Sequence, residues 1–180
     1  MISLPFRRFP RNPSIDALYG TIVAQARSPA FYRGYGVPDT VAGRLDMLML
    51  HLLLLLRRLA AAPGEARPVG QQLFDRFCRD VDANLREMGV GDLAVPRQMR
   101  RVAEAYYGRA KAYERALAQQ DGDALAAALA RNIFNAAEPP LGARRLAAYI
   151  RQTARRLSEQ TTEALVRAEL EFPDPETVAP

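Results

Sequence analysis

Apolar side chains return every three to four residues along most of this chain, and that spacing predicts one helix after another. The signal is cleanest from Val69 to Met88. Phe74, Phe77, Cys78, Val81, Leu85 and Met88 share one face, while Asp75, Arg76, Arg79, Asp80, Asp82, Arg86 and Glu87 take the other. Gly89 then stands where a C-cap glycine belongs. From Pro96 onward, Met99, Val102, Ala103, Tyr106, Ala110, Tyr113 and Leu117 keep the same period. Upstream, Ser14 reads as an N-cap, followed by Ile15, Leu18, Tyr19, Ile22 and Ala26 on one face. Ser28-Pro29 opens a short aromatic turn ended by Gly36, and Pro38-Asp39 stops it and caps a helix running to about Ala62. Asp121 or Asp123 caps an alanine-rich helix to about Asn135, Pro139-Pro140 breaks the chain, and a last long helix is expected from Leu141 to Leu170. No stretch alternates as a strand does, and no fixed period marks a repeat array. The expectation is an all-α fold: a single-domain bundle of about six to seven helices over residues 13–170. A basic arm, 1–12, precedes it, and a disordered acidic and proline-bearing tail, 171–180, follows.

One segment departs from the amphipathic rule. Leu45–Leu56 is apolar nearly all round, so its helix belongs at the centre of the bundle. It holds Asp46 and His51 and is closed by Arg57 and Arg58. At about twelve residues it falls short of the roughly twenty that a bilayer span needs. The start of the chain carries two prolines and no long apolar stretch, unlike a signal peptide. These features predict a cytoplasmic protein of a reducing compartment.

Length and composition add bounds. A chain of 180 residues with 49% hydrophobic content can bury a real core, and one cysteine excludes a disulfide framework. The net charge of +5 is uneven. Residues 1–12 carry three arginines and no acid, residues 92–156 carry 12 basic residues against 6 acids, and residues 157–180 carry one arginine against six acids. Positive surface of this kind suits anionic lipid or ribosomal RNA.

Catalytic signatures are missing: no phosphate-binding glycine loop, no nucleophile elbow, no HExxH pair. His51, the sole histidine, sits within the apolar run and reads as a satisfied core residue. Cys78 reads as a small buried hydrophobe. Asp75, Asp80, Asp82, Glu87 and Asp92 crowd together, but interleaved arginines favour ion pairs, Asp75–Arg79 and Asp82–Arg86 among them, over a metal site. The rings of Tyr19, Phe31, Tyr32, Tyr35, Tyr106, Tyr107 and Tyr113 admit two readings: core packing, or a patch that holds an apolar peptide or helix.

Two blocks of sequence carry a resemblance. The first is Leu18-Tyr-Gly-Thr-Ile-Val-Ala-Gln-Ala-Arg27, Pro29-Ala-Phe-Tyr32, Gly36-Val-Pro-Asp-Thr40, Gly43-Arg-Leu-Asp-Met47 and Leu50-His51. The second is Leu73-Phe-Asp75, Asp80-Val-Asp82, Leu85-Arg-Glu-Met-Gly-Val-Gly-Asp92 and Tyr107-Gly-Arg109. Together they resemble the ubiquinol–cytochrome c chaperone family. The resemblance implies a non-enzymatic, all-helical, cofactor-free assembly factor of respiratory complex III that holds newly made cytochrome b. It suits a bacterial cytoplasmic member lying peripheral to the inner membrane, and leaves a small partner subunit undetermined. Candidate client-binding residues are Tyr19, Arg27, Phe31, Tyr32, Tyr35, Arg44, Arg86, Glu87, Asp92, Tyr106, Tyr107 and Arg109. The alternative is a basic helical module that binds nucleic acid or the ribosome. A metal-dependent enzyme built on the Asp75–Asp92 cluster stands third.

Overall fold

The computed structural model describes residues 12–178 apart from 63, 65, 120 and 121. The expected basic arm therefore lies, but for Asn12, outside the described residues. Helices occupy Pro13–Ala26 (α1), Pro29–Arg33 (α2), Val41–Ala60 (α3), Ala66–Glu87 (α4), Val95–Leu117 (α5), Asp123–Leu129 (α6), Leu141–Glu159 (α7) and Thr162–Val166 (α8). A π-helical turn, Ala130–Phe134, extends α6 and ends at Asn135 in the left-handed region. Among the described residues five of these helices run 14 residues or more, α6 has seven, and α2 and α8 are short turns of five, so the bundle is all-α as the periodicity predicts.

Helix α3 is the axis of the fold. From Met47 to Leu55 every side chain is buried except Leu48, which is half-buried. A helix apolar on all sides needs neighbours on all sides. Helices α1, α4 and α7 supply them, and α5 and α6 close the outer layer. The N-termini of α3 and α7 both press against the loop after α2. A Cβ on Gly43 would stand 2.0 Å from the Pro38 carbonyl oxygen, and one on Gly142 would stand 1.8 Å from that of Tyr35. Only glycine permits so close an approach.

Several boundaries differ from the sequence reading, each for a local reason. Asn12 rather than Ser14 caps α1, its side-chain oxygen accepting from Ser14 N. Thr40 rather than Asp39 caps α3, and Asp39 pairs with Arg44 instead. Asp123 begins α6 as its first residue and pairs with Arg144. The last helix does not run to Leu170. It stops at Glu159, where Arg58 donates to the carbonyls of Leu157 and Gln160, and Thr161 caps a new turn. A cationic side chain on the final carbonyls and a threonine N-cap are both helix-boundary devices. The tail predicted to be disordered is held as far as residue 178, with Leu170, Pro173, Pro175 and Val178 buried.

Two polar side chains of α3 are taken into the core with partners. His51 Nδ1 lies 2.7 Å from the Met47 carbonyl, to which it donates; Nε2 then accepts from the Tyr149 hydroxyl at 3.0 Å. Gln25 donates to the same hydroxyl at 2.9 Å. Phe31, Tyr149 and Phe172 pack edge-on or tilted around the imidazole, with centroids 5.3–5.7 Å away. Burial holds His51 down at about 4, against the opposing pull of its bond to Met47. The second such group is Asp46 of α3, which pairs with Arg109 of α5 at 2.8 Å, their side chains 12% and 18% exposed. Burial pushes the Asp46 carboxyl up to about 6 and outweighs the attraction of Arg109.

These two groups act on stability with opposite sign. His51 takes its proton more readily unfolded, so its contribution is complete above pH 6.5 and is lost as pH falls toward 4. That loss is on the order of 3 kcal/mol. Asp46 takes its proton more readily folded, so its contribution is complete below pH 3.8 and is lost as pH rises through 6. Urea unfolding between roughly pH 4.5 and 6.5 should therefore show the Asp46→Asn chain weakening toward acid and the His51→Gln chain strengthening. Equal slopes in the two variants would refute the assignment. Phe77, 1% exposed at the centre of the α4 face, should cost about 3–5 kcal/mol when replaced by alanine. The shift of the urea midpoint measures it.

Candidate functional site

Where α1, α3, α4 and α5 meet, the bundle leaves an open apolar groove of about 300 Å³. Helix α3 presents Val41, Leu45 and Leu48 to it at helical spacing. Helix α4 runs antiparallel and presents Val81 and Leu85, with Met88 just past its end; α1 adds Val23, and α5 adds Val102. The register follows from the far end of the same seam, where Gly70 of α4 approaches Leu56 and Leu59 of α3. The lips are bare aliphatic surface: Val41 is 66% and Met88 55% exposed.

The rim is polar. Arg27 and Arg44 stand on one side, Asp80 and Asn84 on the other. Arg44 is held at 2.7 Å from Asp39, and its guanidinium lies 5.6 Å over the Tyr32 ring. Its hydrogen bond keeps the Asp39 carboxyl below the usual range. Tyr32 is half-buried and donates to the Ala26 carbonyl at 2.7 Å. Asp80 accepts from the Tyr19 hydroxyl at 3.0 Å and from Arg76 at 3.4 Å. Burial first, and then this carboxylate, raise the Tyr19 phenol. Rigid partners therefore fix one wall, while Arg27 remains at the exposed edge.

The sequence candidates divide into three groups. Arg27, Arg44 and Tyr32 come together at the groove. Arg86, Glu87 and Asp92 are exposed around the α4–α5 turn beside it, where Arg86 bridges Asp82 and Asp92. Gly89 caps α4 there with φ +83°. The third group takes the core-packing reading of the rings and not the patch. Tyr19, Phe31, Tyr35 and Tyr106 are all buried, and Arg109 is committed to Asp46. Large rings bury much apolar area. Tyr19 and Tyr35 also find acceptors for their hydroxyls, in Asp80 and the Pro175 carbonyl. Tyr106 packs between Phe74 and Phe77. Tyr107 alone among the rings is mostly exposed, beside a second hollow of about 260 Å³ lined by Leu56, Leu59 and Phe74.

The acidic stretch does not converge. Asp75 accepts from Gln71, Asp80 and Asp82 serve different arginines, and Arg79 reaches only the backbone carbonyl of Asp75. Among the described residues no group of three or more His, Cys, Asp or Glu side chains is placed to hold a metal ion. Cys78 is a half-buried free thiol, raised by burial and by Asp75. No described helix is long and apolar enough to cross a membrane.

Sequence reasoning missed the aliphatic walls. Leu45, Leu48, Leu85, Met88 and Val102 carry the period of core positions, and periodicity cannot tell a covered face from an open one. The available clue was Leu45–Leu56, whose apolar surface exceeds what amphipathic neighbours can cover.

The sequence profile of the ubiquinol–cytochrome c chaperones matches residues 33–172. A crystal structure of the Cbp3 homolog from Brucella abortus shares the fold with a TM-score of 0.85 and 40% identity, over 93% of this chain and 92% of that one. No curated protein sequence matches.

Proposed function

The chain belongs to the ubiquinol–cytochrome c chaperone family, and on that premise we propose that it is an assembly chaperone of the ubiquinol–cytochrome c reductase complex that holds newly made cytochrome b. The groove between α1, α3, α4 and α5 is the seat for an apolar client segment. What carries this reading is the pair of exposed aliphatic lips, Val41 and Met88, over a floor of half-buried Leu45, Leu48 and Leu85. Such a surface holds a greasy helix without chemistry.

The dimensions suit reversible holding. A hollow of about 300 Å³ takes a few aliphatic side chains, not a whole helix. Each side chain moved out of water contributes about 1.5–3 kcal/mol, and association costs consume part of the gain. The resulting affinity is modest, which lets the client leave when its partners arrive. Arg27 and Arg44 at the rim meet polar ends of the client, while its apolar side chains enter the floor. The basic half of the chain keeps the protein near anionic lipid or ribosomal RNA.

Both lips are exposed, so Val41→Asp with Met88→Asp should leave the helical circular dichroism unchanged. Capture of cytochrome b in native affinity purification should fall at least about tenfold. Full capture by that variant would remove the groove from the proposal. Normal cytochrome b accumulation in a strain lacking the protein would remove the client.

A further inference from the structure

Residues 170–178 form neither helix nor strand, turn back over 174–177, and lie across Gln25 of α1, Tyr35 after α2, His51 of α3 and the end of α7. The side chains Phe172, Pro173, Pro175 and Val178 pack inward, while Glu171, Asp174 and Glu176 face solvent. The bundle holds this segment mainly by its backbone. Gln25 donates to the Pro173 carbonyl at 3.1 Å, and the Tyr35 hydroxyl donates to the Pro175 carbonyl at 2.6 Å. Gln160 pairs both ways with Glu171, donating to its carbonyl at 2.8 Å and accepting from its N–H at 3.0 Å. Among the described residues, the exposed ion pair from Arg156 to Glu171 is the one bond from the bundle to a polar side-chain group of the tail.

Peptide clefts use this form of recognition: backbone hydrogen bonds for hold, shallow apolar seats for selection. Prolines in the bound segment lower the entropy lost on docking. The tail does not fill the space offered. Beside Pro175 an open hollow of about 290 Å³ is lined by Arg33, Tyr35, Arg145 and Glu176. Arg145 lies 4.5 Å over the Tyr35 ring and donates to the Gly34 carbonyl, but its buried Nε has no hydrogen-bond partner. A carboxylate reaching into the hollow would supply the missing acceptor.

We infer that this crevice is a peptide-binding site whose present occupant is the chain's own tail, and that an acidic, proline-containing segment of a partner protein exchanges with it. The site shares no residue with the α1–α3–α4–α5 groove, so either assignment stands or falls alone. The tail has the advantage of tethering, equivalent to a local concentration on the order of millimolar. A partner overcomes it by adding contacts in the unfilled hollow with Arg33 and Arg145.

The full chain tests this in two ways. By hydrogen exchange, the tail amides should open at least about tenfold faster than those of α3, as a separately detachable unit does. In a chain whose own tail carries Phe172→Asp and Pro175→Asp, a fluorescein-labelled peptide of residues 169–178 should bind with micromolar affinity, and the unsubstituted chain should bind it far more weakly. Adding Tyr35→Phe to that variant should weaken the peptide about tenfold, the worth of one buried hydrogen bond, with circular dichroism unchanged. Tail exchange matching that of α3, unfolding of the tail-substituted chain, or a folded variant that ignores the peptide would each overturn the proposal.

Discussion

Helix α3 cannot be stable in water by itself. Its middle two turns expose aliphatic side chains in every direction, so the rest of the chain must enclose it. Helices α1, α4 and α7 pack directly upon it, and the loop after α2 is pulled tight against the N-termini of α3 and α7 through Gly43 and Gly142. Enclosure of a cylinder by amphipathic helices is rarely complete. Here the shortfall lies along Leu45 and Leu48, in the space lined by α1, α3, α4 and Val102 of α5. Core and groove are thus two results of one constraint.

Polar groups taken into such a core need partners, and each does work in the architecture. His51 is satisfied on both nitrogens and ties α3 to α7 through Tyr149 and onward to α1 through Gln25. The Asp46–Arg109 pair is the corresponding tie from α3 to α5, and Arg109 also reaches the Asn132 carbonyl in the π turn after α6. A pair so enclosed is weak evidence of net stability, because desolvation offsets attraction. Its evident effect is to tie α5 to α3.

Membership of a chaperone family and an open aliphatic groove point in the same direction without being the same evidence. The family fixes the class of work. The groove says how a helical bundle with a polar rim can offer apolar surface in small, recessed amounts. Large exposed patches invite aggregation, and a recessed one rimmed by Arg27, Arg44, Asp80 and Asn84 limits that hazard.

Much of this was legible in the residues themselves. Period and punctuation determine the helices, the central place of Leu45–Leu56, the core roles of His51 and Phe77 and the Asp82–Arg86 pair, because these depend on neighbours within a few turns. The word LREMGVGD carried the family resemblance for the same reason, being local and contiguous. What needed the tertiary structure was every question of which face is covered. A tyrosine at helical spacing looks alike whether its ring is sealed, as at Tyr19 and Tyr35, or open, as at Tyr107. Acidic, proline-bearing residues after Leu170 look disordered until Gln25, Tyr35 and Gln160, between 11 and 148 positions away in the chain, are found beneath them. Burial is a property of the assembled surface, and sequence period encodes only the half of each contact that its own helix supplies.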